Sequence, residues 1–261
     1  MKEQDIRLSV VSYLNAKPFM RGLAQLSPDD KTFRIETDIP SVCAQKLIED
    51  KTDIGLIPVA MIPRLQESHI ITDYCIAADG AVDSVLLVSQ REINEITHIQ
   101  LDLESRTSVL LARILADEHW KISPKWIPQA PNHDFSDADK TGAAVIIGDK
   151  ALEHRHHYKY CYDLAAAWKE HTGLPFVFAA WVSNKLIAPA AIEKLNQLFS
   201  AGIKSIPETS KELQVNYPYA NVLEYLTHRI RYQLNTREKE AMQLFLRKAA
   251  PYQESGAVVT I

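Results

Sequence analysis

Three short polar clusters carry the chemistry this chain could do. Ser12-Tyr13-Leu14-Asn15-Ala16-Lys17-Pro18 follows the first apolar run. The amide of Asn15 can both donate to and accept from a bound ligand, and it can equally serve as an Asx-type loop or cap residue. Ser12 and Tyr13 share that loop, where Tyr13 could also be a core aromatic with a satisfied hydroxyl. Ser105-Arg106-Thr107-Ser108 precedes the apolar stretch Val109 to Leu115. Hydroxyls and backbone N–H groups at a helix start, with the positive end of the dipole, suit a carboxylate. Arg106 could add a charge-assisted pair, or the four residues could be a capping cluster with an exposed arginine. Gly148-Asp149 closes the apolar run Ala143 to Ile147. A carboxylate there can meet a substrate hydroxyl or cap the next helix. Ser84 opens the run Val85 to Val88 and by spacing alone is a strand-start serine.

The loudest cluster promises less. In His154-Arg155-His156-His157 consecutive side chains do not share a face, and no acid stands at ligand spacing, so a solvated basic loop and no metal are expected. Cys43, Cys75 and Cys161 are too far apart for a metal motif or a disulfide framework and read as reduced, buried thiols. Trp168 and Trp181 flank the Gly173 to Pro175 turn and read as core. The eight glycines are spaced so that no G-x-G-x-x-G, phosphate-binding loop or G-x-S-x-G elbow can be written. Dinucleotide-dependent dehydrogenases, NTPases and serine hydrolases of those types are thereby excluded.

The chain has 261 residues, 46% hydrophobic and 24% charged, which is ordinary globular composition and enough for one large domain or two lobes. With 29 Lys and Arg against 33 Asp and Glu the formal charge is −4, so the global field does not attract nucleic acid or an anionic membrane. An anionic ligand must be held by local groups. The polar start Met1-Lys2-Glu3-Gln4-Asp5 shows no secretory pattern, which points to the cytoplasm. The longest apolar run, Leu174 to Val182, is interrupted by Pro175 and falls well short of the roughly 20 residues that span a bilayer.

These clusters need elements to hold them. The first eighty residues alternate apolar runs with helical patterns, the signature of βαβ units and a mostly parallel sheet. Strands are expected at Ile6 to Val11, Phe33 to Asp38 and Ile54 to Val59, with helices from Pro18 to Leu26 and from Pro40. A second sheet begins with Ser84 to Ser89 and Ile99 to Leu101, and Ala143 to Ile147 joins it. Asp163 to His171 reads as a helix and Phe176 to Val182 as a strand. After Lys185 helical periodicity takes over, at Pro189 to Ser205, Lys211 to Val215, Ala220 to Arg231 and Thr236 to Ala249. The pattern predicts an α/β clamshell of two lobes. Residues 1–83 plus 184–261 form lobe one, with the C-terminal helices packing on it, and 84–183 form lobe two, with hinge strands near 84–88 and 178–183. Ligands of open α/β sheets bind beyond carboxyl-terminal strand ends, and a cleft between lobes is where a small ligand is expected.

Five segments in one order resemble the chorismate dehydratase family of the futalosine route to menaquinone: Ser12 to Pro18, Asp53-Ile54-Gly55-Leu56-Ile57-Pro58, Ser105 to Ser108, Ile146-Ile147-Gly148-Asp149, and Thr172 to Ala179. The resemblance spans residues 6 to 182. It implies a type-2 periplasmic-binding-protein fold, a cytoplasmic enzyme, no cofactor and no metal, with chorismate as substrate. By the resemblance Asn15 contacts the ligand, Ser84 lies in the cleft, and Ser105, Thr107 and Ser108 hold a carboxylate, while Arg106 either joins them or braces the fold. Gly148 shapes the site, and Asp149 is kept as an acid for the departing hydroxyl. Ala16 stands where the family often has threonine, which leaves Asn15 in place. The alternatives are the related 1,4-dihydroxy-6-naphthoate synthase and a non-catalytic carboxylate-binding clamshell. Apolar faces on the C-terminal helices leave a homodimer open.

Overall fold

In a computed structural model, which describes residues 5–102, 105–129 and 142–254, the N-terminal apolar runs become parallel strands. β1 (Ile6–Val11) pairs in parallel with β2 (Phe33–Asp38) and β3 (Ile54–Pro58). The connecting helices α1 (Lys17–Leu23) and α2 (Pro40–Ile48) each carry proline in the first turn, where its missing N–H costs nothing. β3 is buried at every residue, which is why it reads as a continuous apolar run instead of an alternating one. With β4 (His69–Ala78), β10 (Phe176–Ser183) and β11 (Arg231–Gln233) these strands form a six-stranded sheet in the order β11-β4-β10-β3-β1-β2.

A second sheet has the order β7-β6-β8-β5-β9, built from β5 (Val85–Ser89), β6 (His98–Asp102), β7 (Lys125–Gln129), β8 (Gly142–Ile147) and β9 (Tyr160–Asp163). β6 runs parallel to β7 and β8, while β5 is antiparallel to β8 and β9. β4, β7, β9 and β11 fall outside the runs that the sequence marks as strands. The chain divides into two compact units, Met1–Ala77 with Val177–Thr236, and Ala78–Phe176 with Arg237–Ile261. The boundaries lie six or seven residues before those expected, and a third crossing follows Thr236.

That third crossing corrects the expected placement of the helical tail. α6 (Pro189–Lys204) and α7 (Ile206–Leu213) do pack on α1 in the first unit. There Trp181 and Phe199 stack at 4.5 Å and Phe19 meets both, at 5.5 and 4.8 Å. α9 (Thr236–Glu254) instead belongs to the second unit. Its Phe245 packs edge-on against Phe176 at 5.0 Å and Trp168 at 6.2 Å, its Lys248 pairs with Glu118, and the Tyr252 hydroxyl donates to Asp117 at 2.5 Å. Amphipathic periodicity shows that a helix has an apolar face; it does not show which core that face meets. The helix expected over Ala220 to Arg231 is likewise cut short. α8 (Val222–Glu224) and a π turn through Arg229 give way to β11, whose backbone satisfies the edge of β4. An open ladder edge outweighs local periodicity there.

Asp53, in the D-I-G-L-I-P segment, is spent on the fold. It accepts from the Arg7 backbone N–H at 2.8 Å and from the Arg7 guanidinium at 2.7 and 3.1 Å, and Lys185 lies 2.9 Å away. Burial pushes its carboxyl up, but the Arg7 and Lys185 hydrogen bonds outweigh that and hold it well below the usual range. A carboxyl that is more acidic folded than unfolded contributes its full stability above the unfolded pKa of about 3.9 and loses it as pH falls toward the folded value. Thermal unfolding of the native chain should therefore weaken between about pH 5 and pH 2 by about 2 kcal/mol more than that of Asp53→Asn. Parallel pH curves for the two proteins would remove Asp53 from this role.

Candidate functional site

In the first unit the candidate group stands at the carboxyl end of β1. Ser12 is exposed, and Tyr13 and Asn15 are half-buried. Asn15 sits inside a short 3-10 turn, Leu14–Ala16, that leads directly into α1. Neither the turn nor α1 takes a side-chain cap, so the capping role open to Asn15 in the sequence is not used. Its backbone carbonyl is held instead, by the hydroxyl of Tyr232 at 3.0 Å from β11. Tyr232 is buried, and burial pushes its pKa well above that of a free phenol, so it remains a donor. The loop is thus fixed through its backbone, and the Asn15 side chain caps neither the turn nor α1. Asp38, at the carboxyl end of the neighbouring β2, is occupied by Ser9 at 2.6 Å and Lys46 at 2.8 Å.

In the second unit, topology brings the remaining candidates to one sheet edge. Because β6 and β8 are parallel, their carboxyl ends coincide; because β5 is antiparallel to β8, its first residue lies at the same edge. The Gly148 N–H donates to the Ser84 carbonyl at 2.8 Å. Gly148 has φ +62°, in the left-handed region that favours glycine, and this sharp turn starts α4 (Gly148–His154) directly off β8. Asp149 is half-buried in the first turn of α4, whose N-cap, Ile147, supplies no side-chain acceptor. Ser84 is fully buried.

α3 (Arg106–Leu115) begins beyond β6. Ser105 is its N-cap, and the Ser105 hydroxyl accepts the Ser108 N–H at 3.3 Å. The capping alternative is therefore realised for Ser105. Thr107 and Ser108 are buried at the same helix start and Arg106 is half-buried, not the exposed residue of the capping reading. A helix start with three buried hydroxyl residues can stabilise a carboxylate through oriented dipoles without placing a full charge beside it.

The other residues singled out by sequence divide as follows. His154, Arg155, His156 and His157 are exposed, and no group of three metal-ligating side chains exists among the described residues. Trp168 and Trp181 are fully buried core residues, with the Trp168 indole donating to the Pro175 carbonyl at 3.0 Å. Cys43 and Cys75 are buried, and burial pushes the Cys43 thiol up to about 12. Cys161 is exposed, contrary to expectation, because it lies on β9, the edge strand of the second sheet. No helix among the described residues is long and apolar enough to cross a membrane. Two residues that hold backbone beside these clusters, Tyr232 at Asn15 in the first unit and Asp163 at Val82 and Asp83 in the second, gave no readable signal. Tyr232 lies just past a segment read as helix, and Asp163 reads only as a helix start; each acts on a loop far away in the chain.

Comparison with known proteins agrees with this architecture. Solved structures with the same fold include a protein of Archaeoglobus fulgidus (TM-score 0.78, 12% identity, 97% of this chain and 100% of that one). They also include the alkanesulfonate-binding protein of Xanthomonas axonopodis pv. citri (TM-score 0.69, 13% identity, 100% and 96% covered) and a Candida albicans protein described as having the generic periplasmic-binding-protein fold (TM-score 0.64, 11% identity, 97% and 92% covered). At such identities these likenesses concern the fold, which is the periplasmic-binding-protein fold expected from sequence. Among curated proteins, a chorismate dehydratase of Thermus thermophilus is 23% identical over 234 residues, covering 82% of this chain and 85% of that one. A chorismate dehydratase of Campylobacter jejuni is 33% identical over 120 residues, 41% of this chain and 49% of that one. A family model described as menaquinone biosynthesis matches residues 6–251. On that match, which takes in both sheets and nearly all of the described helices, the chain belongs to the menaquinone-biosynthesis family.

Proposed function

We propose that this protein is a chorismate dehydratase, a hydro-lyase that converts chorismate to 3-[(1-carboxyvinyl)oxy]benzoate and water. The observation that carries the reading is the likeness to chorismate dehydratases of two organisms within a menaquinone-biosynthesis family match. The chemistry of the candidate residues is in keeping with it. Chorismate has two carboxylates, a ring diene, and a hydroxyl next to the ether-bearing carbon. Loss of the proton on the ether carbon gives an anion delocalised toward the ring carboxylate. Departure of hydroxide from the neighbouring carbon then makes the ring aromatic, and the proton and hydroxide leave as water. The driving force is internal to the substrate, so the protein has to fix geometry and stabilise charge as it develops, which positioned neutral donors do well.

In this reading the helix start at Ser105, Thr107 and Ser108 holds a substrate carboxylate, with Arg106 beside it. Asn15 and Ser84 orient the enolpyruvyl carboxylate, with Ser12 and Tyr13 lining the Asn15 loop and Gly148 shaping the second-sheet edge. The enolpyruvyl carboxylate itself removes the proton, since the only carboxyl among the candidate side chains is Asp149. Asp149 faces the departing hydroxyl. A cytoplasmic location goes with this role.

Purified protein incubated with chorismate should yield an aromatic product lighter by one water. Unchanged chorismate with saturable binding would instead favour a binding protein, and turnover only of a cyclic naphthoate precursor would favour the naphthoate synthase. Within the dehydratase reading, Asp149→Asn should lower kcat by about 10²- to 10³-fold, within the range of a lost general acid. A loss of about 10⁴-fold or more with folding and binding intact would make Asp149 the base.

A further inference from the structure

The residue before Ser84 is held in an unusual conformation. Asp83 has φ +64°, one of three non-glycine residues with positive φ among the described residues. Such a backbone costs of order 1 kcal/mol or more and persists only where its surroundings impose it. The Asp83 carboxylate pairs with Arg155 at 2.6 Å, and the Ser84 carbonyl accepts from Gly148 at 2.8 Å. The third restraint comes from Asp163 at the end of β9. Its Oδ2 accepts the backbone N–H of Val82 at 2.8 Å and of Asp83 at 2.7 Å. Its Oδ1 accepts those of Ala165 and Ala166, both at 3.0 Å, and so caps α5 (Leu164–Thr172).

The two oxygens therefore do different things. Capping α5 needs only Oδ1, as an ordinary N-cap serine or aspartate shows. Oδ2 is directed at a turn eighty residues earlier in the chain, which the α5 cap does not require. Burial raises the Asp163 pKa, and the N–H donors work against that, so the carboxylate is kept in place by the same contacts it makes. All of these residues lie in the second unit.

We propose that Asp163 is a positioning residue for the substrate site, fixing the Val82–Asp83 turn through Oδ2 and thereby the place of Ser84 at the sheet edge. This rests on the dehydratase reading for the role of Ser84, whereas the clamp itself rests on geometry alone.

Asp163→Ser keeps a hydroxyl cap for α5 and removes the second acceptor. In the full-length protein it should lower the unfolding temperature by no more than about 10 °C, because the Val82 and Asp83 N–H groups lose their acceptor while the α5 cap is kept, and lower kcat for chorismate by about 10- to 100-fold, the cost of a catalytic group displaced by about an ångström. KM should change by less than about threefold. Amide hydrogen exchange in peptides covering 78–86 should accelerate while peptides covering 164–172 keep their protection. Asp163→Asn keeps the volume and one acceptor oxygen, so one of the two N–H pairs must face its NH2 group; it serves as the second variant should the serine protein fold poorly. A folded variant with kcat within about threefold of wild type and unchanged exchange over 78–86 would overturn the proposal. If wild-type protein leaves chorismate unchanged, the functional reading fails separately, and the exchange measurement alone decides the clamp: acceleration confined to 78–86 supports it and unchanged exchange refutes it.

Discussion

Asn15→Asp should lower kcat/KM for chorismate dehydration by about 10³-fold with little change in stability. The change replaces an amide that can donate to a substrate carboxylate with a carboxylate that repels it. Loss of one preorganised donor to developing charge costs about 10²- to 10³-fold, and the added repulsion places this substitution at the upper end. The prediction about stability has a separate basis. The loop is held through the Asn15 backbone carbonyl, by the buried Tyr232 hydroxyl at 3.0 Å, and its side chain caps neither the turn nor α1. Steady-state kinetics with chorismate, beside thermal unfolding by circular dichroism, checks both halves. An Asn15→Asp protein with wild-type kcat/KM would remove Asn15 from the site. A variant that loses activity only because it unfolds would return Asn15 to the structural role that the sequence left open.

Gly202→Val should destabilise the fold by at least about 3 kcal/mol and lower the unfolding temperature by roughly 10 °C. α1 and α6 cross with their backbones in contact. A Cβ at Gly202 would lie 1.9 Å from the Pro18 carbonyl oxygen and 2.7 Å from the Gly22 nitrogen. One at Gly22 would lie 2.0 Å from the Leu198 carbonyl oxygen. These are backbone atoms of packed helices and cannot be relieved by turning a side chain. The helices would have to separate, opening the stack in which Phe19 lies 4.8 Å from Phe199 and Trp181 4.5 Å from Phe199. The gain in helix propensity on replacing glycine is under about 1 kcal/mol and does not offset this. Gln197→Ala, on the exposed face of α6, should stay within about 0.5 kcal/mol of wild type. A Gly202→Val protein as stable as that control would show that the two helices can part without loss.

Two of the sequence clusters, and Asp163 outside them, differ in how much of their role could be read directly. Asn15 is legible as a loop amide because strand β1 and Pro18 frame it locally. The sequence alone leaves its capping role undecided, because a cap is a matter of φ, ψ and a few ångströms. Ser105 reads as both cap and ligand group, and the structure gives it the cap. Arg106 is half-buried where the capping alternative expects an exposed side chain. Asp163 reads only as a helix start, since nothing local marks the second pair of N–H groups that its carboxylate reaches.

Composition, charge, glycine spacing and hydrophobic period determined by themselves that the chain is α/β. They also determined that it begins with a parallel βαβ arrangement, that it cannot carry the common nucleotide-binding loops, and that its polar clusters stand at strand-to-helix junctions. Those properties are local: they depend on which residues are neighbours along the chain and on the repeat of their side chains. Tertiary structure alone decided that α9 joins Trp168 and Phe176, that β11 closes the edge of β4, and that Tyr232 and Asp163 restrain loops far from them in the chain. Such pairings are settled by which buried face or unsatisfied backbone edge is within reach once the rest has folded, and a one-dimensional pattern carries no record of that distance.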